Sequence, residues 1–106
     1  MKFKTKKLKL KVGLEIGGVL HRDVIVKPGT TRMLENAHAF PGADTNPQIF
    51  ENALNAQMVS SADGTQFDAD HFGELLLVDR KLINDAINEV NADPLDASPS
   101  ATTKPA

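Results

Sequence analysis

The stretch FDADHFGELLLVDRKLINDAINEV, from Phe67 to Val90, has the densest apolar content of the chain and decides how the fold is built. It contains two helix-start signals of the same kind. At the first, Asp68 is placed to cap a helix while Phe67 packs on Phe72, an arrangement known as a hydrophobic staple. At the second, Asp79 is placed to cap another helix, with apolar residues at the same spacing around it. The repeated signal predicts two helices.

After Asp79, apolar residues recur at the helical period and share one face: Leu82, Ile83, Ala86, Ile87 and Val90. We therefore expect a short helix over residues 69–76, a tight corner, and a longer helix over residues 80–91. The alternative is one unbroken helix, because most apolar residues of both segments nearly share a face. In either case this face must be buried against the rest of the protein.

The N-terminal third has the pattern of a β-hairpin. From Lys6 to Ile16 apolar and charged residues alternate, which predicts a strand with one solvated lysine face. Gly17 and Gly18 suit a turn with positive φ angles, and a second strand follows up to Lys27. A three-residue loop with a bulge keeps the apolar residues in phase. It predicts the pairs Ile16–Leu20, Val12–Val24 and Leu10–Val26.

Two helices are expected between the hairpin and Phe67. One covers residues 32–39, with Thr30 or Thr31 as its cap, and the other covers residues 47–60, with Asn46 as its cap. From residue 92 to residue 106 the chain is rich in proline and lacks apolar periodicity, so we expect a disordered tail.

The predicted architecture is α+β. A β-hairpin over residues 6–27 packs on three to four short helices within one domain, residues 1–91. The hairpin alone leaves two strand edges open, and the lysines of its first strand discourage pairing with another edge.

Composition and charge exclude several classes of site. With no Cys, the chain can form neither disulfides nor thiolate metal sites. Aromatic residues make up only 5% of the chain, with no Trp and no Tyr, which argues against a surface that stacks on single-stranded nucleic acid. No apolar run approaches the roughly 20 residues of a membrane span, and no export signal is evident. The net charge of −2 combines a basic N-terminal third with an acidic remainder.

Candidate catalytic and metal-binding residues are few. His21, His38 and His71 do not have the spacing of metal ligands, so we expect three surface histidines and no metal site. Asp68 and Asp70 lie at a predicted helix start, where carboxylates favour the positive end of the helix dipole. We expect no enzymatic activity and no cofactor.

A basic edge is the main candidate for nucleic-acid contact. It consists of lysines that precede or lie on the first strand: Lys4, Lys6, Lys7, Lys9 and Lys11. They could contact phosphates, but we interpret them as a solvated strand face, and we expect the acidic remainder to repel DNA.

Three successive leucines, Leu75, Leu76 and Leu77, are the strongest indication of a binding surface. Successive helical positions lie about 100° apart, so three side chains in a row cannot all point into one core. The one left over is either tucked into the corner or exposed as a contact point. Met33 and Met58 would add adaptable contacts if they border the same surface. We therefore predict a partner-binding site formed by these five residues, with the fully buried arrangement as the alternative.

The order of these pieces resembles a known family. VGLEIGGVLHRDVIVKPGTTRMLENA, from Val12 to Ala37, is similar to the opening of the small tail assembly chaperones of long-tailed bacteriophages, contractile or Mu-like. ALNAQMVSSADGTQFDADHFGELLLVDRKLINDAINEV, from Ala53 to Val90, is similar to their second half. Gly29 departs from the family, which usually runs directly from Pro to Thr.

The resemblance implies a chaperone in the host cytoplasm that transiently binds the helical tape-measure protein during tail assembly. Tail-tube protein is a second implied partner, and self-association stays open. Two other hypotheses remain: a minor structural protein of the virion or tail, and a small phage-encoded inhibitor or nucleic-acid-associated protein that uses the basic hairpin. No membrane partner is expected.

Overall fold

The computed structural model of the protein describes residues 3–93 and Leu95, and it confirms the predicted α+β class. The sheet is antiparallel with strand order β1-β2-β3. In chain order, the elements are β1 (Lys6–Ile16), β2 (Val19–Val26), α1 (Thr31–His38), α2 (Pro47–Ala56), β3 (Val59–Ser61), α3 (Ala69–Glu74) and α4 (Leu77–Ala92).

The strand β3 corrects the predicted helix over residues 47–60. α2 ends at Ala56, and Val59 then pairs with Val26 on the free edge of β2. Val59 is buried in this position. Pairing with β2 and burial of Val59 prevail over the helical spacing that continues to Met58. Among the strands of the described residues, β1 therefore lies at one edge of the sheet and β3 at the other.

The turn between β1 and β2 is tighter than predicted. Gly17 and Gly18 have φ angles of 59° and 82°, and Ile16 pairs directly with Val19, as in a two-residue type I′ hairpin. The predicted pairing of Ile16 with Leu20 is therefore wrong. The predicted partners of Val12 and Leu10 are wrong as well, since Leu8 pairs with Val24 and Lys6 with Val26.

A bulge does occur, but it lies inside β1 instead of in the loop. Lys9 pairs with Asp23 and Leu14 pairs with His21, so residues 10–13 lie opposite Arg22 alone. Gly13 adopts a φ of 93°, which only glycine accommodates readily.

The bulge changes which side chains face the core. Leu10 and Leu14 are both buried, whereas Val12 is 46% exposed, against the predicted alternation. In β2 the buried residues are His21, Val24 and Val26, and Leu20 points to solvent. The change of register moves one apolar residue of each strand out of the core.

Three of the predicted helix caps are confirmed. The side chains of Thr30, Asn46 and Asp68 accept backbone N–H groups of α1, α2 and α3 respectively. Asp68 also forms a capping box with His71, and Phe67 lies edge-on to Phe72 with ring centroids 6.3 Å apart.

The prediction that Asp79 caps the last helix is wrong. α4 begins at Leu77, its N-cap is Leu76, and no side chain caps it. Asp79 lies within the first turn and is fully buried against β1.

The core lies between the sheet and α4, which packs on β1 and β2. Its largest fully buried apolar side chains come from the sheet, from α4 and from the residues just before β3 and α3: Leu10, Val24, Val26, Val59, Ile83, Val90, Met58 and Phe67. A smaller cluster of Ala37, Ala53 and Ala69 joins α1, α2 and α3.

The end of the folded part also differs from the prediction. Ala92 belongs to α4, and Leu95 forms an isolated antiparallel bridge with Phe3, so neither fits the disordered tail expected from residue 92. The rest of that tail, residue 94 and residues 96–106, lies outside the described residues.

Candidate functional site

The corner between α3 and α4 exposes apolar side chains because of its backbone. Leu75 and Leu76 are both extended, with ψ angles of 138° and 153°, so the chain changes direction between two helices and does not form one unbroken helix. Leu75 turns inward and is 8% exposed. Leu76 is 53% exposed and Leu77 is 87% exposed.

We call Leu76, Leu77 and Val78, all exposed, the apolar corner. As predicted, the leucines do not all enter the core, and two of them face solvent. The predicted reason is wrong, because Leu75 and Leu76 are extended and are not successive helical positions. Leu77 is more exposed than any other large apolar residue in the part of the chain that the structure describes. An exposed apolar cluster of this kind is typical of protein-binding surfaces.

A buried carboxylate holds the corner in place. Asp79, with 0% exposure, accepts hydrogen bonds from the backbone N–H groups of Lys11 at 2.7 Å, Gly13 at 2.8 Å and Val12 at 3.1 Å. These are the N–H groups that the bulge of β1 leaves without a strand partner. Asp79 therefore ties the start of α4 to the sheet, directly behind the apolar corner.

Arg22 supports the same bulge from the neighbouring strand. Its Nη2 donates to the carbonyl of Lys11 at 3.0 Å and its Nε donates to the carbonyl of Leu10 at 3.3 Å. The bulge thus has partners for both its N–H and its carbonyl groups. Val12 and Leu20, the two apolar residues that the bulge exposes, lie at this anchor.

A pocket of about 360 Å³ opens beside the apolar corner, between α2, α3 and α4. Phe72, Leu75 and Leu77 form its apolar walls, and Arg80 lies among them. The Arg80 guanidinium carbon is 4.9 Å from the Phe72 ring centroid, a cation–π contact.

Neutral amide groups hold Arg80. Its Nη1 donates to Asn52 Oδ1 at 2.6 Å and its Nε donates to Asn84 Oδ1 at 3.2 Å. Burial lowers the pKa of Arg80, and the charge of Glu51 partly opposes that shift. The site therefore combines an apolar corner with a partly buried cation.

Not all predicted partner-binding residues reach the surface. Met58 is 2% exposed and Leu75 is 8% exposed, so both belong to the core and the prediction is wrong for them. The reason is that β3 places Met58 beneath the sheet and the corner turns Leu75 inward. Met33 is half-buried and packs against the core, which leaves Leu76 and Leu77 as the accessible members.

The lysines of the basic edge are partly neutralised by acidic residues. Lys4 lies 3.8 Å from Asp93, Lys6 lies 3.2 Å from Glu89, and Lys9 lies 3.9 Å from Asp23. Exposed pairs of this kind stabilise a fold little, but they lower the positive potential available to phosphate groups.

Lys7 and Lys11 are exposed, and neither forms a salt bridge within residues 3–93. The basic edge is therefore a strand face that mixes paired and unpaired lysines.

Each of the three histidines makes a contact within the fold. His21 is buried, which corrects its predicted surface position, and its Nδ1 lies 2.8 Å from Ser61 Oγ. His71 completes the cap of α3, and the exposed His38 packs on the ring of Phe50 with centroids 4.6 Å apart. Over the described part of the chain, no group of three His, Asp or Glu residues is arranged to hold a metal ion.

The sequence interpretation missed Val12, Leu20, Val78 and Arg80 as members of the site. The strand alternation placed Val12 and Leu20 in the core, and only the bulge reverses that orientation. Arg80 gave no sequence signal, because the Asn52 that binds it lies on another helix.

In comparisons with known proteins, no protein-family model, no curated protein and no solved structure matches the chain. Within the described residues, every helix is too short or too polar to cross a membrane.

Proposed function

We propose that the protein is a tail assembly chaperone of a long-tailed bacteriophage that binds the tape-measure protein transiently in the host cytoplasm. The observation that carries this proposal is the apolar corner, where Leu77 is 87% exposed beside Leu76 and Val78. A chaperone that must be released during assembly suits a small surface of this kind, which binds through apolar contacts without a covalent step.

The rigidity of the corner supports this role. Asp79 fixes the first turn of α4 to the bulge, and Leu75 anchors the corner in the core. A partner therefore meets a preformed surface and loses little free energy in ordering it. The hairpin at the start and the short helix before the last one agree with the resemblance to the chaperone family, whereas β3 and the uncapped start of α4 depart from it.

Co-purification tests the proposal. Leu77→Glu places a charge at the centre of the corner, so we expect at least about tenfold weaker binding to the tape-measure protein of the same phage. Leu34→Glu is the matched control, because Leu34 is an exposed leucine on α1, away from the corner. Equal retention of the tape-measure protein by both variants and by the unaltered chain would contradict the proposal.

Two further measurements distinguish the other hypotheses. A chaperone should be absent from purified virions, whereas a minor structural protein should be detected there by mass spectrometry. Gel-shift assays at low and moderate salt test the nucleic-acid hypothesis. We expect weak binding at most, because Lys4, Lys6 and Lys9 already have acidic neighbours.

A further inference from the structure

Arg80 lacks the anion that usually accompanies a partly buried arginine. Its hydrogen-bond partners are the amide oxygens of Asn52 and Asn84, and no acidic residue of the described chain forms a salt bridge with it. Glu51 lines the same pocket but does not contact the guanidinium at salt-bridge distance. Charges removed from water are normally paired with an opposite charge. Since Arg80 has no such partner among the described residues, its guanidinium can accept a carboxylate from another molecule.

One nitrogen of Arg80 is available for that purpose. Nη1 and Nε have hydrogen-bond partners, whereas Nη2 has none among the described residues. Nη2 is not a buried atom, so it is accessible to solvent, and Arg80 lines the pocket. A carboxylate bound there would form a charge-assisted hydrogen bond next to apolar walls.

The spacing of Leu77 and Arg80 limits what the partner can be. They are three positions apart on α4, so their side chains lie on neighbouring positions of one helix face. A partner helix that packs along this face of α4 can contact Leu77 and Arg80 with two of its own residues about one turn apart. We propose that this site binds an amphipathic helix whose acidic residue pairs with Arg80 while an apolar residue one turn away packs on Leu77. This inference rests on the proposed function and specifies the chemistry of the partner.

Two helical peptides test this inference directly. Both are Ala-based, labelled with a fluorophore and carry the same leucines, but one has Glu and the other has Gln one turn from the central leucine. We expect the Glu peptide to bind about tenfold tighter in fluorescence anisotropy, the effect of one charge-assisted hydrogen bond. Equal affinities, or binding of neither peptide, would overturn the inference.

Three variants assign the preference to the pocket. Arg80→Gln should abolish the difference between the peptides. Lys81→Gln removes the same charge from the adjacent exposed position, where Lys81 pairs with Asp85 at 3.4 Å, and should leave the difference intact. Glu51→Gln removes the acidic group of the pocket and should strengthen binding of the Glu peptide by about threefold without changing the Gln peptide.

The remaining outcomes are also decisive. A preference that survives Arg80→Gln, or disappears in Lys81→Gln, would assign it to general charge and overturn the inference. If Arg80→Gln proves to be unfolded in a thermal melt, two other measurements still test the inference. They are the difference in affinity between the two peptides for the unaltered chain, and whether Glu51→Gln strengthens binding of the Glu peptide. The protein could also self-associate through this site. If Leu77→Glu abolishes that self-association and the Glu peptide cannot displace it, the occupant is a second copy of this chain and the inference is overturned.

Failure of this inference is separable from failure of the proposed function. If Leu77→Glu weakens tape-measure binding while the two peptides bind equally, the corner is a chaperone surface without acidic selectivity. If the peptides behave as expected but the tape-measure protein does not bind, the site takes acidic helices of another protein.

Discussion

Replacing Asp79 by Asn tests whether the buried carboxylate holds the corner to the sheet. The two side chains have nearly the same size, so the substitution changes charge and hydrogen bonding without opening a cavity. The carboxylate accepts three backbone N–H groups, from Lys11, Val12 and Gly13, through both of its oxygens. An amide keeps one accepting oxygen and turns a donating NH₂ group toward the remaining N–H groups.

The expected loss of stability follows from this count. At least one hydrogen bond from a backbone N–H to the charged carboxylate is lost, worth about 1.5–3 kcal/mol, a figure that includes leaving that N–H without its partner. The Asp79 side chain is fully buried, whereas the donors Lys11 and Val12 belong to exposed residues, so water can partly replace the carboxylate at the N–H. We expect Asp79→Asn to lower the free energy of unfolding by about 1.5–3 kcal/mol, a sizeable part of the stability of a small domain.

Urea denaturation followed by far-UV circular dichroism measures this loss. With a denaturant slope of about 1.5 kcal/mol per molar urea, the midpoint should fall by about 1–2 M. Asp85→Asn is the matched control, because Asp85 lies on the same helix but is exposed and pairs with the exposed Lys81. A loss below about 1 kcal/mol, or one equal to that of the control, would refute the role given to Asp79.

Three other predictions concern the core, the bulge and the turn after β3. Leu75→Ala should lower the free energy of unfolding by about 2–5 kcal/mol in urea titrations, since Leu75 is buried, whereas Leu77→Glu should change it by less than about 0.5 kcal/mol. Gly13→Ala should lower the melting temperature, because a Cβ would lie 2.6 Å from Arg22 Cγ at a φ of 93°. Hydrogen bonds from Thr65 hold the pKa of Asp63 below its ordinary value of 3.8, so its stabilising contribution is present above that pH and is lost as the pH falls further. Asp63→Asn should therefore flatten the loss of stability measured by denaturation below pH 3.8.

The corner is the part of the site that could be predicted from the sequence. The capping residue Asp68 acts within its own helix, so its role could be predicted from local sequence. The leucine run was expected to be helical, but Leu75 and Leu76 are extended, so their different directions come from the corner itself. Local rules of this kind predicted the α+β class and the start of α3. The expectation of two helices was correct although one of its two signals was not, because Asp79 does not cap α4. Local rules did not predict which of Leu75, Leu76 and Leu77 would turn inward, because that depends on the path of the chain after α3.

The features that were missed depend on contacts between distant residues. The bulge in β1 is held by Asp79, which lies far along the chain and accepts the N–H of Val12. The bulge turns the side chain of Val12 toward solvent. The short strand β3 is stabilised by the free edge of β2, which no local pattern reveals. The environment of Arg80 likewise requires Asn52 from another helix. Periodicity describes one element at a time and cannot represent such partnerships.

Site-specific photo-crosslinking tests the central claim most directly. A photoreactive residue is placed at position 77 or, as a control, at position 34 on α1, and the chain is expressed with the tape-measure protein of the same phage. The account predicts that position 77 forms a covalent adduct with the tape-measure protein and that position 34 does not. No adduct from position 77, or equal adducts from both positions, would contradict it.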